Sequence, residues 1–134
     1  EAADLVIQSS NLAKGGEVFI TKMPVISIAD LAEVMADILT EQYKLEVRSS
    51  IREIGAKPGE KLYEELMSGE ETGRAIETKD YFVVLPAFRD LYPVDYTYDD
   101  SVPSGDLRPY NSSEEPIMSK ESLNKYLRQH NIIR

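Results

Sequence analysis

The chain has 134 residues, of which 15 are basic and 24 acidic, giving a formal charge of −9 at pH 7. Such a surface repels nucleic acid and anionic membranes, and no run approaches the roughly 18 apolar residues of a membrane span. There is no cysteine, which excludes disulfides and thiolate metal sites and is compatible with a cytoplasmic protein.

A hydrophobic fraction of 42% beside 29% charged residues fits one small domain that carries an irregular polar stretch. Glu1 to Ala13 reads as an amphipathic helix with Ala2, Leu5, Val6 and Leu12 inward. Lys14-Gly15-Gly16 closes it with a basic residue and a glycine cap. Residue 1 is Glu and the helix is already under way, so the chain is expected to be cut from a longer one. Glu17 to Thr21 is a short buried strand, broken by Lys22-Met23-Pro24. Ser27 is an N-cap with Asp30 three residues on. Ile28, Leu31, Met35, Ile38 and Leu39 then repeat at helical spacing, which predicts a helix to about Tyr43. Leu45 to Ile54, with Val47 and Ile51 among charged residues, is predicted as a second strand.

Gly55-Ala56-Lys57-Pro58-Gly59-Glu60 follows. Pro58 fixes φ and Gly59 tolerates positive φ, so the pair makes a tight turn. Glu60 to Met67 is rich in helix formers, with Leu62, Tyr63 and Leu66 on one face, and is predicted as a helix. Ser68 to Gly73 is an acidic loop. Arg74 to Thr78 and Tyr81 to Leu85 are β runs able to pair as a hairpin through Lys79-Asp80. Ala87 to Ser113 shifts in composition: Pro93, Pro103, Pro109, four tyrosines, many aspartates and no periodicity. It reads as an extended segment lying along another surface or as a linker. Ser119 caps a last helix with Leu123, Tyr126 and Leu127 on one face, and Ile132-Ile133 closing against the body.

No metal ligand set is evident, and the single histidine, His130, sits where a basic group suits a helix end. Glu64-Glu65, Glu70-Glu71 and Asp99-Asp100 are sequence neighbours, which point apart and are ordinarily solvated. No nucleophile–base pair appears. Gly15-Gly16 ends a helix instead of opening one, so it is not a dinucleotide fingerprint. By residue chemistry alone the chain shows no catalytic apparatus, and the Pro-Gly turn is only a stiff connection flanked by Lys57 and Glu60.

That turn carries a resemblance. Gly55-Ala56-Lys57-Pro58-Gly59-Glu60-Lys61-Leu62-Tyr63-Glu64-Glu65-Leu66 is similar to the G-x-R-P-G-E-K-L-x-E-x-L segment of nucleotide-sugar dehydratases and epimerases of polysaccharide biosynthesis. These are extended short-chain dehydrogenases of the UDP-N-acetylglucosamine 4,6-dehydratase/5-epimerase type. Gly15-Gly16-Glu17-Val18-Phe19-Ile20-Thr21-Lys22-Met23-Pro24 resembles their G-G-E-[IV]-F-x-x-K-M-P run, and Ile28-Ala29-Asp30-Leu31-Ala32 their following helix start. Tyr81 to Pro86 and Tyr110-Asn111-Ser112-Ser113 resemble the extension of the capsule-synthesis branch.

These elements predict an α/β fold: a small mixed sheet of strands 17–21, 45–54 and 81–85 under covering helices. The resemblance makes this the C-terminal substrate domain of a Rossmann-type enzyme, with an irregular extension ending in a helix. It implies a substrate-binding subdomain over 1–86, an extended segment over 87–118 and a C-terminal helix over 119–134. It implies a UDP-sugar substrate, with NAD(P) and the catalytic residues in an N-terminal Rossmann domain. The face that would meet the Rossmann half is expected to drive a homo-oligomer, and the charge of −9 argues against a nucleic acid or membrane partner. By the same resemblance a basic residue at the Lys57 position is expected to meet the diphosphate and an acid at the Glu60 position to accept from the ribose hydroxyls, with Lys22 a second candidate for the nucleotide. Lys57 stands where Arg is usual, which keeps the charge and loses the two-pronged contact. The alternatives are a non-catalytic interaction or oligomerisation module and the equivalent part of a UDP-glucose 4-epimerase-like enzyme.

Overall fold

The computed structural model describes residues 2–45, 51–88, 93–103 and 105–133. The chain forms a mixed α/β fold of short antiparallel sheets and helices, in two compact units. The first unit is Glu1–Met23 with Tyr63–Glu114, and the second is Pro24–Leu62 with Glu115–Arg134.

The first unit holds α1 (Ala2–Leu12), β1 (Val18–Thr21), β2 (Glu65–Met67), α3 (Gly69–Thr72), β3 (Ala75–Glu77), β4 (Tyr81–Val84) and β5 (Tyr110–Asn111). The second holds α2 (Ile28–Tyr43) and α4 (Lys120–Gln129). In the first unit β4 is the central strand of a β1-β4-β3 sheet, antiparallel to both neighbours. Its uninterrupted apolar run reflects cover on both faces. Tyr81, Val83 and Leu85 point to one face, where Tyr98 joins them and Leu5, Phe19, Ile76 and Tyr96 pack alongside. Val84 points to the other face, with Ile20 and Met67, against Ala75, Phe82 and Tyr110. The predicted hairpin forms: Thr78 N–H donates to the Tyr81 carbonyl at 2.9 Å across Lys79-Asp80. The Thr78 hydroxyl is buried and also donates to that carbonyl, while accepting from the Tyr81 N–H.

Several local expectations need correction. Glu60 to Met67 is not a helix: Glu65–Met67 is β2, paired antiparallel with β5. Glu64 and Ser112 fix that pairing with two 2.9 Å hydrogen bonds, Glu64 N–H to the Ser112 hydroxyl and Ser112 N–H to the Glu64 carbonyl. A cross-strand partner overrides local helix propensity. The 45–54 strand is absent at Leu45 and over 51–54, and 46–50 lies outside the described residues, so β3 takes the expected third place in the sheet. Ser68 to Gly73 contains a helical turn, α3, tied at its start by the Glu71 carboxylate, which accepts from both the N–H and the hydroxyl of Ser68 at 2.8 Å. On α1, Leu5 faces the sheet and Val6 does not, remaining 65% exposed, because one residue turns a helix by about 100°.

In the second unit α2 and α4 pack through Val34, Ile38, Leu123 and Leu127, with Ile26, Leu31, Met35, Met118 and Ile133 around them. Both helices start at serine caps: Ser27 accepts from Asp30 N–H and Ser119 from Ser122 N–H, each at 3.3 Å. Lys120 bridges from α4 to Asp30 and Glu33, and Arg128 to Glu41. Ile28, expected inward, is 74% exposed at the first helical position. Residues 51–62 form an arm without helix or strand, every residue of it exposed.

Candidate functional site

The turn at Lys57–Glu60 is built from within. Gly59 has φ +88°, the left-handed value that the third position of a type II turn requires, and an added Cβ there would meet nothing. Glycine is therefore needed for conformation, not for space. Glu60 N–H donates to the Lys57 carbonyl at 3.1 Å, and Lys57 N–H donates to Glu60 Oε2 at 2.7 Å. The reciprocal pair holds the Glu60 carboxylate in place with one oxygen and leaves the other as an acceptor. Both side chains are exposed. The turn thus presents a cation and a fixed acceptor three residues apart. That arrangement can take an anion and an adjacent hydroxyl pair.

Lys22 lies in the other unit, at the end of β1. Its Nζ donates to Glu77 Oε1 at 2.8 Å and to the Thr78 carbonyl at 2.6 Å, and sits 4.9 Å from the centroid of the Phe82 ring. The ammonium is half-buried and tied to the β3–β4 hairpin. Met23, next in the chain, is held by the Tyr110 hydroxyl, which accepts from its N–H at 2.9 Å and donates to its carbonyl at 2.7 Å. Lys57 and Glu60 are therefore brought together in one turn of the second unit, and Lys22 belongs to the first. Glu77 was not singled out from the sequence, and Tyr110 only within the Tyr110–Ser113 resemblance, because nothing near Lys22 in the chain points to partners so far along it.

A second polar cluster joins the loop after α1 to the tyrosine-rich segment. The Glu17 carboxylate accepts from the N–H groups of Lys14 and Gly15 and from the Tyr98 hydroxyl, the last at 3.0 Å. Tyr96 donates to the Gly15 carbonyl at 2.7 Å, and Lys14 Nζ reaches the Thr97 carbonyl and the Tyr98 ring. Burial raises the Glu17 pKa, but the hydrogen bonds from Lys14, its own N–H, Tyr98 and Gly15 together outweigh it, and the net shift is downward. A lowered folded-state pKa contributes stability above the unfolded value, and that stability is lost as pH falls through the folded value. Glu17→Gln should therefore flatten the acid side of the stability profile, below about pH 4.5, in urea melts taken across pH. An unchanged acid limb in the variant would contradict the assignment. Tyr98 is shifted upward by burial and by its hydrogen bond and charge contact with Glu17, so it stays protonated as a donor.

Among the described residues no group of three or more His, Asp or Glu is placed to hold a metal ion. Gly15 and Gly16 close α1 at positive φ, and a Cβ on Gly16 would come within 3.1 Å of Pro86. They form no dinucleotide cradle.

Against this geometry stand the known proteins. Residues 1–86, more than half of the chain, match the profile of the family described as polysaccharide biosynthesis protein. The chain belongs to this polysaccharide biosynthesis family. Its relatives include an uncharacterized membrane protein of Methanocaldococcus jannaschii, 40% identical over 130 residues, covering 96% of this chain and 36% of that protein. A UDP-glucose 4-epimerase of Rickettsia rickettsii is 29% identical over 127 residues, covering 95% of this chain and 36% of the epimerase. Among solved structures, the X-ray structure of Pen from Bacillus thuringiensis superposes with a TM-score of 0.81 at 38% identity, covering 99% of this chain and 37% of Pen. The chain therefore spans about a third of the length of the relatives it matches. Among the described residues, no helix of this polysaccharide biosynthesis chain is long and apolar enough to cross a membrane.

Proposed function

We propose that this chain is the C-terminal substrate-binding portion of a nucleotide-sugar 4,6-dehydratase/epimerase of surface polysaccharide synthesis, acting on a UDP-sugar such as UDP-N-acetylglucosamine in the cytoplasm. The observation that carries the reading is the self-closed Lys57–Glu60 turn, exposed and holding its acid in place before any ligand arrives. Lys57 neutralises the diphosphate, and the free lone pairs of Glu60 accept from the ribose hydroxyls. Lys22 is the second candidate, and to reach a phosphate its ammonium must exchange Glu77 for the ligand. An N-terminal Rossmann half supplies NAD(P), the hydride chemistry and the catalytic acid and base. Gly15 and Gly16 close α1 and form no dinucleotide cradle, so no catalytic step is assigned to this chain. Val6 and Ile7, exposed on α1, support a surface covered by that half or by a second copy in a homo-oligomer.

The similarity to UDP-glucose 4-epimerases favours a second reading, epimerisation at C4 of a UDP-hexose, and the same turn would serve it. Calorimetry with UDP on the full-length protein tests the shared claim. Glu60→Gln is expected to weaken UDP roughly 10- to 100-fold, the scale of one charge-assisted hydrogen bond. An affinity equal to wild type would remove Glu60 from the site.

A further inference from the structure

We propose that β5 is a staple: it pins both ends of the excursion that the chain makes through residues 24–62, and the two pins hold or release together. The chain leaves the first unit after Met23 and rejoins it at Tyr63. The β1–β4 register ends at Thr21 and Tyr81, so the sheet ladder does not reach Met23. The Tyr110 hydroxyl holds it instead, accepting from its N–H at 2.9 Å and donating to its carbonyl at 2.7 Å. The returning end is held at Glu64, whose N–H donates to the Ser112 hydroxyl and whose carbonyl accepts from the Ser112 N–H. Both pins lie inside the first unit, and one short run, Tyr110 to Ser112, supplies both.

The coupling follows from how little else seats β5. Its pairing with β2 joins Glu65 to Asn111 and Met67 to Tyr110 with a register shift between them, and so short a pair is marginal by itself. The Tyr110 ring supplies the seat, 5.3 Å from the Phe82 ring and packed with Ile20, Met67 and Val84. The chain turns away at once after it. The Asn111 side chain accepts from the N–H and hydroxyl of Ser113, and its carbonyl accepts from the Glu114 N–H. Tyr110 and Ser112 are joined by at most about 7 Å of chain. A shift of the strand that frees Met23 therefore also strains the bonds at Glu64, and groups in one such network do not act independently.

Native-state hydrogen exchange on the 15N-labelled full-length protein, read amide by amide, tests this. Tyr110→Phe keeps the ring and removes both bonds to Met23. It is expected to speed exchange of the Ser112 amide roughly three- to tenfold, the scale of one hydrogen bond, although that amide bonds only to Glu64. Ser112→Ala should speed the Met23 amide by a similar factor. Tyr96→Phe, which removes one bond to Gly15 in the same unit, should leave both amides as in wild type. A Ser112 amide unmoved in Tyr110→Phe, or a Met23 amide unmoved in Ser112→Ala, overturns the proposal. So does equal acceleration of the Val83 amide in the central strand, which would show general loosening of the unit and no staple.

Discussion

Leu123→Ala is expected to destabilise the second unit by about 3 kcal/mol, the usual scale for emptying a leucine site that cannot collapse. Leu123 is 1% exposed and packs with Val34, Ile38 and Leu127, where α4 meets α2. The charged links between the two helices do not compensate, because Lys120, Arg128, Glu33 and Glu41 are largely exposed and such pairs contribute little each. Ile28→Ala, in the same unit, should change stability by less than about 0.5 kcal/mol. The two residues carry equal weight in a sequence reading of core positions, so the pair discriminates. Chemical denaturation of both variants measures it. Equal losses would mean that the α2–α4 packing is wrongly assigned.

On the proposed function, Lys57→Ala is expected to lower kcat/KM of the full-length protein for a UDP-sugar roughly 10- to 100-fold, the range for losing a hydrogen bond to a charged group. The backbone bonds that close the turn do not involve the lysine side chain, so the variant should keep its shape. Lys57→Arg should restore or exceed wild-type binding, since a guanidinium adds a second parallel bond to phosphate. Steady-state kinetics on the three proteins decides this. Activity in Lys57→Ala equal to wild type would remove the diphosphate role.

The parts of the fold legible in the sequence are those whose cause is local. Ser27 and Ser119 cap the helices they were expected to cap, and the 81–85 run pairs back on 75–77 through two residues. The Pro58-Gly59 turn forms because its two residues dictate its dihedrals. What local chemistry could not give is β2. Glu60 to Met67 has helix-forming residues throughout, and only the distant Tyr110 to Ser112 strand makes Glu65–Met67 extended. The same holds for Glu17, whose role depends on Tyr98, and for Lys22, whose ammonium is claimed by Glu77 and Thr78. At the candidate site, Lys57 and Glu60 were visible because they belong to one turn. The hydrogen bond from the Lys57 N–H to the Glu60 carboxylate, which positions the acid, was not.

The central claim is that this turn meets the nucleotide. A titration of the 15N-labelled full-length protein with UDP, followed by two-dimensional NMR, reads it residue by residue. The amides of Lys57, Gly59 and Glu60 are expected to shift to saturation at the affinity measured by calorimetry. Calorimetric binding of UDP with those three amides unmoved would contradict it.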